Sequence, residues 1–420
     1  MITASYPHQH GIIGPNEPPY DTAWPTYMKN LKAAGYTTAS FGKTHYFSED
    51  PEALKKMAAA PKRKDARDLE PFVRSFGFDH SSENPHTLSL ADENYNSAYA
   101  EYLRDQGLLE IFRRQMREHK GNPQQNEGYL NEFSAEHNIS SFIAREVIDW
   151  FEKRDQSKPF FAIYAPIQPH PPYGADPKWA AYYADKKIPE GPREQVQVPN
   201  PVWGVMLNER YKRFPEGEIT RDYVDNSKRM YYASISLVDE KVGEILAALE
   251  KRGELDNTWV IWSSDHGDLM GDHGFMDKSL FYHASVGVPG IIRPPRQVPA
   301  RQVVTTPAEQ IDMSATILDI AGAEPLDAPG RSLLPVMNGK ETTQYAFAEM
   351  SPGKNMVYIG VTDGRYRYTV EHNSKTPCEF FDLQEDPDEV TNLVNDPGYK
   401  KRIADMQKNV IEPHITNSIL

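Results

Sequence analysis

The feature of this sequence that most constrains its fold is a recurring unit, an amphipathic helix followed by a short apolar strand. The clearest units pair residues 22–34 with 36–41, 139–153 with 160–164, and 231–253 with 257–262. In the first unit, Thr22 is placed to cap the helix and Gly35 to end it. Alternating helices and apolar strands predict an α/β fold with a mostly parallel central sheet covered by helices.

Charged or titratable residues follow each of these strands. Lys43 and His45 follow the first strand, His170 follows the second, and Asp265 and His266 follow the third. Ligands of open parallel sheets bind beyond the carboxyl ends of the strands. We therefore expect these side chains to converge on one edge of the sheet.

The pattern changes near residue 345. Short alternating runs at 356–361, 366–370 and 379–383 predict a small antiparallel sheet, and a helical tail follows. We expect an α/β domain over residues 1–344 and a C-terminal antiparallel β subdomain with a final helix over residues 345–420.

Two long polar stretches interrupt the α/β units. Residues 91–134 have helical character, and residues 174–228 are rich in proline and irregular. Long insertions of this kind run over the surface and often surround a ligand site. We expect both stretches to shape the rim of the site.

Composition excludes several classes of protein. The chain has 420 residues, and 46 Lys+Arg against 60 Asp+Glu give a net charge of −14. This acidity argues against nucleic-acid binding, because a phosphate backbone needs a basic face. The single cysteine, Cys378, excludes an internal disulfide and a Cys-rich metal site. No apolar run approaches the ~18 residues that span a bilayer.

The densest group of possible metal ligands is the segment 263–274, which includes Asp265 and His266. A hard divalent cation prefers carboxylate oxygens, and a neighbouring imidazole can complete its coordination. The alternative is a polar turn whose aspartates cap the next helix. The segment alone favours neither interpretation.

Lysine and histidine side chains are candidates for charge stabilisation and proton transfer. Lys43 and His45 lie two residues apart on one side of an extended segment, where they could serve an oxyanion site as a charge clamp and a proton carrier. Taken alone, Gly-Lys-Thr-His is more typical of a solvated lysine beside an incidental histidine. His170 is held rigidly between two prolines, which suits a general acid and equally a plain turn. Lys278 is a candidate second clamp, although most lysines are merely solvated.

Five segments, in order along nearly the whole chain, resemble the type I sulfatases of the alkaline phosphatase superfamily. The family patterns are T-G-x-Y-P-x-x-H-G, L-x-x-A-G-Y-x-T-A…G-K-x-H, P-F-F…P-H-x-P, S-D-H-G-D…G-E-H-G…K…V-P and Y-D-L…D-P…N-L. They correspond in that order to residues 3–11, 31–45, 159–172, 264–289 and 380–393. Each pattern is weak alone, and the shared order and spacing make the resemblance strong.

The resemblance implies an alkaline phosphatase-like fold and an active site in which one divalent cation, typically Ca²⁺, holds a sulfate group. Asp265 and His266 take two of the metal-ligand positions. Lys43 and Lys278 take the positions that clamp the sulfate oxygens.

The resemblance also implies a nucleophile and two proton carriers. His45 would orient and later deprotonate the hydrated nucleophile, and His170 would protonate the departing alcohol oxygen. In the family the nucleophile is a formylglycine, made from the first residue of C/S-x-P-S-R-x-x-x-x-T-G. If Thr3 is the threonine of that pattern, the Cys or Ser that becomes formylglycine would lie before Met1. The two adjacent acidic metal ligands of the family would lie further upstream still. Cys378 lies in no such pattern.

We therefore expect that an N-terminal segment is missing because the gene start was assigned at an internal methionine. The alternative is a naturally short, inactive relative. Without the formylglycine, the chain is expected to have little or no activity alone. The expected function is release of inorganic sulfate from a small-molecule or carbohydrate sulfate ester. Two other functions are possible: a phosphonate or phosphodiester hydrolase of the same superfamily, and a non-catalytic anion-binding protein.

Overall fold

A computed structural model describes residues 2–12, 21–44, 64–84, 89–119, 127–192, 219–299, 303–340, 344–353 and 356–416. Within these ranges, helices alternate with strands of a parallel sheet, and an antiparallel sheet forms near the C-terminal end. The predicted α/β fold is confirmed. None of the described helices combines the length and the apolar character needed to cross a membrane.

The parallel sheet has its central strand in the first predicted unit. The strands of the described residues are β1 (Thr37–Gly42), β2 (Lys64–Asp65), β3 (His80–Glu83), β4 (Tyr95–Asn96), β5 (Tyr129–Leu130), β6 (Phe160–Ala165), β7 (Gly174–Ala175), β8 (Val260–Ser263), β9 (Gly290–Arg293), β10 (Ala346–Gly353), β11 (Met356–Thr362), β12 (Tyr366–Glu371) and β13 (Pro377–Asp382). The sheet order is β3-β1-β6, with Thr37 opposite Phe160 and Ala39 opposite His80.

Helices connect and cover these strands. In the described ranges they are α1 (Pro7–His10), α2 (Tyr27–Ala33), α3 (Glu70–Arg74), α4 (Ala98–Asp105), α5 (Leu109–Glu118), α6 (Ile139–Lys153), α7 (Pro177–Tyr183), α8 (Arg221–Lys251), α9 (His283–Val286), α10 (Gln310–Ala321), α11 (Leu334–Met337), α12 (Lys400–Met406) and α13 (Glu412–Ile415). The prediction that Thr22 caps the first helix is wrong. The cap is Thr26, whose side chain accepts a hydrogen bond from the backbone of Lys29.

The two faces of the parallel sheet are covered by different helices. On one face, Ile143 and Trp150 of α6 pack with Phe41 of β1. On the other, Leu31 of α2 and Leu318 of α10 belong to a second buried cluster. Because side chains alternate along a strand, an apolar strand covered on both faces carries the continuous apolar run predicted for β6.

Helix α8 begins earlier than the predicted helix over 231–253. Its cap is Thr220, whose hydroxyl accepts a hydrogen bond from the backbone of Tyr223. The prediction that residues 174–228 are irregular is therefore wrong at their C-terminal end, and also over α7. The early turns bury Ser227 and Lys228, so the apolar spacing that marks a helix is interrupted there.

The third predicted strand, over 257–262, forms as β8 but begins three residues later, at Val260, and it pairs differently from the expectation. Strand β8 is joined to β9 in antiparallel register, with Val260 opposite Arg293, and is not hydrogen-bonded to the described strands of the parallel sheet. A cavity of about 1580 Å³ is lined by residues of both β6 and β8. Helix α8 contributes apolar side chains to the same cavity, among them Val238 and Val242.

The C-terminal part is a four-stranded antiparallel sheet in the order β10-β11-β12-β13. Ile359, Tyr368 and Phe380 of this sheet are buried together with Ile403 and Met406 of α12. The predicted antiparallel sheet with a final helix is therefore present, and it includes β10 as an additional strand.

Candidate active site

Lys43 enters the cavity immediately after β1. Its backbone N–H donates to the carbonyl of Ala165 at 3.0 Å, which extends the β1–β6 pairing by one residue. Gly42 has a φ of +104°, and a Cβ there would lie 2.1 Å from the Ala165 oxygen. Only glycine fits this close approach, so the end of β1 and the position of Lys43 are fixed by the backbone.

His170 lies on the loop that follows β6. Its Nδ1 is 2.7 Å from the carbonyl oxygen of Pro171, and its Nε2 is 2.8 Å from the Nζ of Lys278. A carbonyl can only accept, so the hydrogen-bond network assigns a proton to Nδ1. Nε2 then offers its lone pair to the lysine ammonium, which makes the imidazole neutral in this arrangement.

Lys278 is presented by a loop with unusual backbone geometry. Both of its neighbours, Asp277 and Ser279, have positive φ values, 71° and 74°. Non-glycine residues rarely adopt this conformation unless surrounding contacts hold it. One such contact is the hydrogen bond from the Asp277 backbone N–H to Asp268 at 3.0 Å. The Asp277 carboxylate also lies 3.1 Å from the Lys278 ammonium.

Asp268 stabilises the loop that carries Lys278. It accepts hydrogen bonds from the Tyr173 hydroxyl at 2.8 Å and from the backbone of Met270 at 3.1 Å, in addition to the bond from Asp277. Burial raises the pKa of Asp268 to about 6, with the Asp277 carboxylate acting in the same direction. Tyr173 follows His170 closely in sequence, so Asp268 connects the His170 loop to the Lys278 loop.

Asp265 and His266 follow β8 and face the cavity. The His266 Nε2 lies 3.5 Å from an Asp265 carboxylate oxygen, while His266 Nδ1 is 2.7 Å from the Gly267 carbonyl. The Asp265 side chain is 70% exposed. Burial lowers the pKa of His266, and the Asp265 carboxylate offsets part of that effect. The side chain of Gln310 donates to the Asp265 carbonyl at 2.8 Å and fixes the turn.

The donor chemistry of this pair fits part of a divalent cation site. A carboxylate and an imidazole whose Nδ1 is held by a carbonyl present an oxygen and a nitrogen on the same side of one turn. Ca²⁺ takes six to eight ligands, so these two residues would supply only a part of its coordination.

The structure brings most of the candidate residues together. Lys43, His170, Asp265 and His266 line the same cavity. Lys278 joins them through His170, and the rings of His170 and His266 are 6.2 Å apart. His45 lies outside the described residues. The catalytic and metal-binding roles assigned to these residues remain predictions.

The prediction that the two insertions shape the rim is not supported by their described residues, none of which lines the cavity. Tyr99, Leu103 and Phe112 from the first insertion are instead buried beside α6. Their aromatic and aliphatic character suits a core position better than a solvated rim.

Sequence reasoning did not single out the residues that hold the site in place. Asp268, Asp277 and Tyr173 position Lys278 and the His170 loop through the bonds described above. Asp268 could have been found from the sequence, because it belongs to the S-D-H-G-D pattern. Nothing in the sequence indicates the role of Tyr173, because its partner is 95 residues away.

Comparison with known families decides the relationship. The sulfatase family model matches residues 1–323. The chain belongs to the sulfatase family. A second model, the C-terminal region of N-sulphoglucosamine sulphohydrolase, matches residues 271–415. The family resemblance found in the sequence patterns is thereby confirmed, and the protein is a sulfatase-type hydrolase.

Individual relatives carry sulfatase names. The chain is 28% identical to a choline-sulfatase of Rhizobium meliloti over 394 residues, which cover 91% of this chain and 69% of the relative. It is 25% identical to an N-acetylglucosamine-6-O-sulfatase of Bacteroides thetaiotaomicron over 474 residues, covering 97% and 75%. Across the first three relatives, this chain spans between 57% and 75% of the relative's length.

Solved structures share the fold of this family member. The phosphonate monoester hydrolase of Agrobacterium radiobacter matches with a TM-score of 0.75 and 22% identity, covering 99% of this chain and 85% of that one. At this level of identity the match shows the fold alone. The fold therefore does not separate a sulfate ester from a phosphonate monoester as substrate.

Proposed function

We propose that this sulfatase-family chain provides most of an active site that hydrolyses a sulfate ester and releases inorganic sulfate. The observation that carries the proposal is the 2.8 Å contact between Lys278 and His170 beside a cavity that Lys43 and His266 also line. This contact places a cation that can bind a sulfate oxygen beside an imidazole that can protonate a leaving alcohol. Membership of the sulfatase family supports the same reaction class.

Local positive charge is the main requirement for binding the substrate. The chain as a whole has a net charge of −14 and would repel a sulfate ester at long range. In our proposal the ammonium groups of Lys43 and Lys278 hold the sulfate oxygens inside the cavity. Fixed cations in a site that excludes water stabilise developing charge far more than the same cations do in bulk water.

His170 is proposed as the general acid. Its Nδ1 proton is held by the Pro171 carbonyl, so a second proton would be taken up at Nε2, the nitrogen that now contacts Lys278. Transfer of that proton to the ester oxygen lets the alcohol leave as a neutral molecule, while the S–O bond breaks. When a bound sulfate draws the Lys278 ammonium away, Nε2 becomes free to take up this proton.

A divalent cation and a formylglycine, neither of which is among the described residues, complete the proposed site. Asp265 and His266 would hold a divalent cation, for which we propose Ca²⁺, and the cation would neutralise sulfate charge when bound. A formylglycine on a segment preceding residue 1 would supply the oxygen nucleophile that displaces the alcohol from sulfur. His45 is proposed to orient that nucleophile.

A sulfated carbohydrate is the proposed substrate class. The support is a relative named N-acetylglucosamine-6-O-sulfatase, whose alignment covers 97% of this chain. The main competing function is hydrolysis of a phosphonate or phosphodiester, supported by the structural similarity to a phosphonate monoester hydrolase. A tetrahedral oxyanion site discriminates weakly between sulfur and phosphorus.

Turnover of 4-nitrophenyl sulfate tests the proposal. Two proteins are compared in the presence of CaCl₂: the 420-residue chain, and the product of the reading frame extended upstream and co-expressed with a formylglycine-generating enzyme. We expect sulfate release by the extended protein and little or none by the 420-residue chain. Turnover by the shorter chain would contradict the assignment of the nucleophile. An inactive extended protein that still binds sulfate would support the anion-binding alternative.

A further inference from the structure

Two histidines and a glutamate meet in the interior at a place that does not line the active-site cavity. The Nδ1 of His8 lies 2.6 Å from Glu349 Oε1, and the Nε2 of His414 lies 2.7 Å from the same oxygen. The side chains of His8 and Glu349 have no solvent exposure, and that of His414 is 6% exposed. We call these three residues the His8–Glu349–His414 cluster.

The cluster joins three distant parts of the chain. His8 lies in α1, Glu349 in β10 and His414 in α13. His8 and Glu349 are 341 residues apart in sequence, and Glu349 and His414 are 65 apart. A bond shared by all three ties the N-terminal segment to the antiparallel sheet and the final helix.

Aromatic rings surround the two imidazoles. Tyr6 stacks on His8 with ring centroids 5.7 Å apart and meets His414 edge-on at 4.5 Å. Phe347 stacks on His414 at 3.8 Å. The Tyr6 hydroxyl points elsewhere and donates to Glu309 at 2.7 Å. The Glu349 side chain is closed to bulk solvent, so its carboxylate depends on the two histidines and on the His8 backbone N–H, 3.0 Å from its second oxygen.

The hydrogen-bond network of the cluster is incomplete with protein atoms alone. The Nε2 atoms of His8 and of its neighbour His372 are buried without a hydrogen-bond partner. The two rings are 6.3 Å apart. A buried ring nitrogen without a partner is unfavourable. It also means that the His8 ring can turn toward a new ligand without giving up a bond at its other nitrogen.

We propose that this cluster binds one Zn²⁺ ion through His8 Nδ1, His414 Nε2 and a Glu349 oxygen. Two imidazole nitrogens and one carboxylate suit Zn²⁺, whereas Ca²⁺ prefers a set of six to eight ligands dominated by oxygen. The three ligand atoms already lie within 4.8 Å of one another. Tetrahedral coordination at 2.0–2.1 Å separates ligand atoms by about 3.3 Å, so each of the two contacts between an imidazole nitrogen and Glu349 Oε1, now 2.6 and 2.7 Å, has to lengthen by less than ~1 Å.

Zinc binding replaces the protons that now bridge the cluster. Each imidazole must present a lone pair at its ligand nitrogen, so its proton moves to the other ring nitrogen, and any second proton on an imidazolium is released. The carboxylate stays ionised. The ion would act as a structural cross-link, because the ligands are closed to solvent and contribute nothing to the substrate cavity.

Metal analysis of the purified 420-residue chain tests this site. The protein is dialysed against Zn²⁺ in a large excess of Ca²⁺, which occupies oxygen-rich sites, and zinc per chain is measured by mass spectrometry. We expect about one zinc per chain, and a thermal unfolding midpoint that rises with zinc concentration. X-ray absorption at the zinc edge should give nitrogen and oxygen neighbours at about 2.0–2.1 Å.

Matched variants locate the ion. Glu349→Gln and His414→Gln should each weaken zinc binding at least ~100-fold, while His80→Gln, which alters a histidine outside the cluster, should leave it unchanged. If Glu349→Gln does not fold, as judged by circular dichroism, His414→Gln gives the same test. Absence of zinc from the wild-type chain would overturn the proposal. So would zinc that is lost in His266→Gln but kept in His414→Gln, since that result places the ion at the active site.

Discussion

The ammonium of Lys278 and the Nε2 of His170 lie 2.8 Å apart although 108 residues separate them in the sequence. Lys278 also contacts Asp277 at 3.1 Å, so its charge is shared between an imidazole and a carboxylate. This contact couples two functions. A ligand that attracts the lysine also changes the proton affinity of the histidine, because a nearby cation disfavours imidazolium.

Removing the Lys278 charge should severely impair hydrolysis of a sulfate ester by a protein that carries the proposed formylglycine. We expect Lys278→Ala to lower kcat/KM for a sulfate ester about 10²–10³-fold, the range found when one charge-stabilising donor is lost. The matched control is Lys153→Ala, whose lysine side chain is 77% exposed and should be dispensable. Steady-state kinetics of both variants check this, and equal losses in the two would refute a specific role for Lys278.

The effect of removing the proposed general acid should depend on the leaving group. His170→Gln should slow hydrolysis of an alkyl or sugar sulfate about 10²–10⁴-fold, because a poor leaving group needs a proton. An aryl sulfate with an acidic phenol should be slowed much less. Comparing kcat for the two substrates measures the difference. An equal loss on both would show that His170 does not act as the acid.

Glu146 on α6 should make stability fall with rising pH. Burial raises its pKa to about 7, although hydrogen bonds from Ser82 and Asn84 act against this shift. A raised pKa in the folded state means that the stabilisation is full below the unfolded value of 4.5 and is lost as pH rises through about 7. At ~1.4 kcal/mol per pKa unit, the rise from 4.5 to about 7 means that the ionised carboxylate costs about 3 kcal/mol at pH 8.

The variant Glu146→Gln should therefore be more stable than the wild type at pH 8 and about equal to it at pH 4.5. Its amide can keep the Ser82 bond and donate to the Asn84 Oδ1, which has no partner in the wild type. Glu152→Gln, on the exposed side of the same helix, is the control. Urea unfolding of all three proteins at both pH values measures the free energies of unfolding that this prediction compares. A parallel pH dependence in wild type and Glu146→Gln would contradict the assignment.

Gly42 should be irreplaceable at the end of β1. Both Gly42 and Gly35 have positive φ values, +104° and +91°, but only at Gly42 does an added Cβ meet backbone, at 2.1 Å. Gly35→Ala should cost about 1 kcal/mol from conformational strain alone. Gly42→Ala should cost well over ~3 kcal/mol because β1 and β6 must separate. Denaturant unfolding compares them, and similar losses would show that the close approach is unimportant.

Local pattern predicted the elements whose apolar spacing is uninterrupted. The helix over Ile139–Lys153 has the predicted bounds, because its buried residues recur at helical spacing along its whole length. The start of α8 was missed because Ser227 and Lys228 occupy its buried face. The presence of strand β8 was predicted, although it begins three residues later than expected. Its antiparallel pairing with β9 depends on tertiary structure and leaves no local signal.

In the candidate site, too, some features could be predicted from local sequence and others could not. Lys43 and His170 follow neighbouring strands β1 and β6, so the geometry of parallel sheets was sufficient to predict that they lie near one another. Asp265 lines the same cavity although it follows β8, which is not hydrogen-bonded to the described strands of that sheet. The contacts of Asp268 with Tyr173 and of His8 with Glu349 join residues 95 and 341 positions apart. Their chemistry arises only when the fold brings them together, and no spacing in the sequence indicates it.

The most direct test of the central claim is the ratio of kcat/KM for N-acetylglucosamine 6-sulfate to that for a phosphonate monoester, measured with the extended, formylglycine-containing protein. The proposed function predicts a ratio above one, with release of inorganic sulfate that Lys278→Ala slows about 10²–10³-fold. A ratio well below one, or sulfate release that is unchanged in Lys278→Ala, would contradict it.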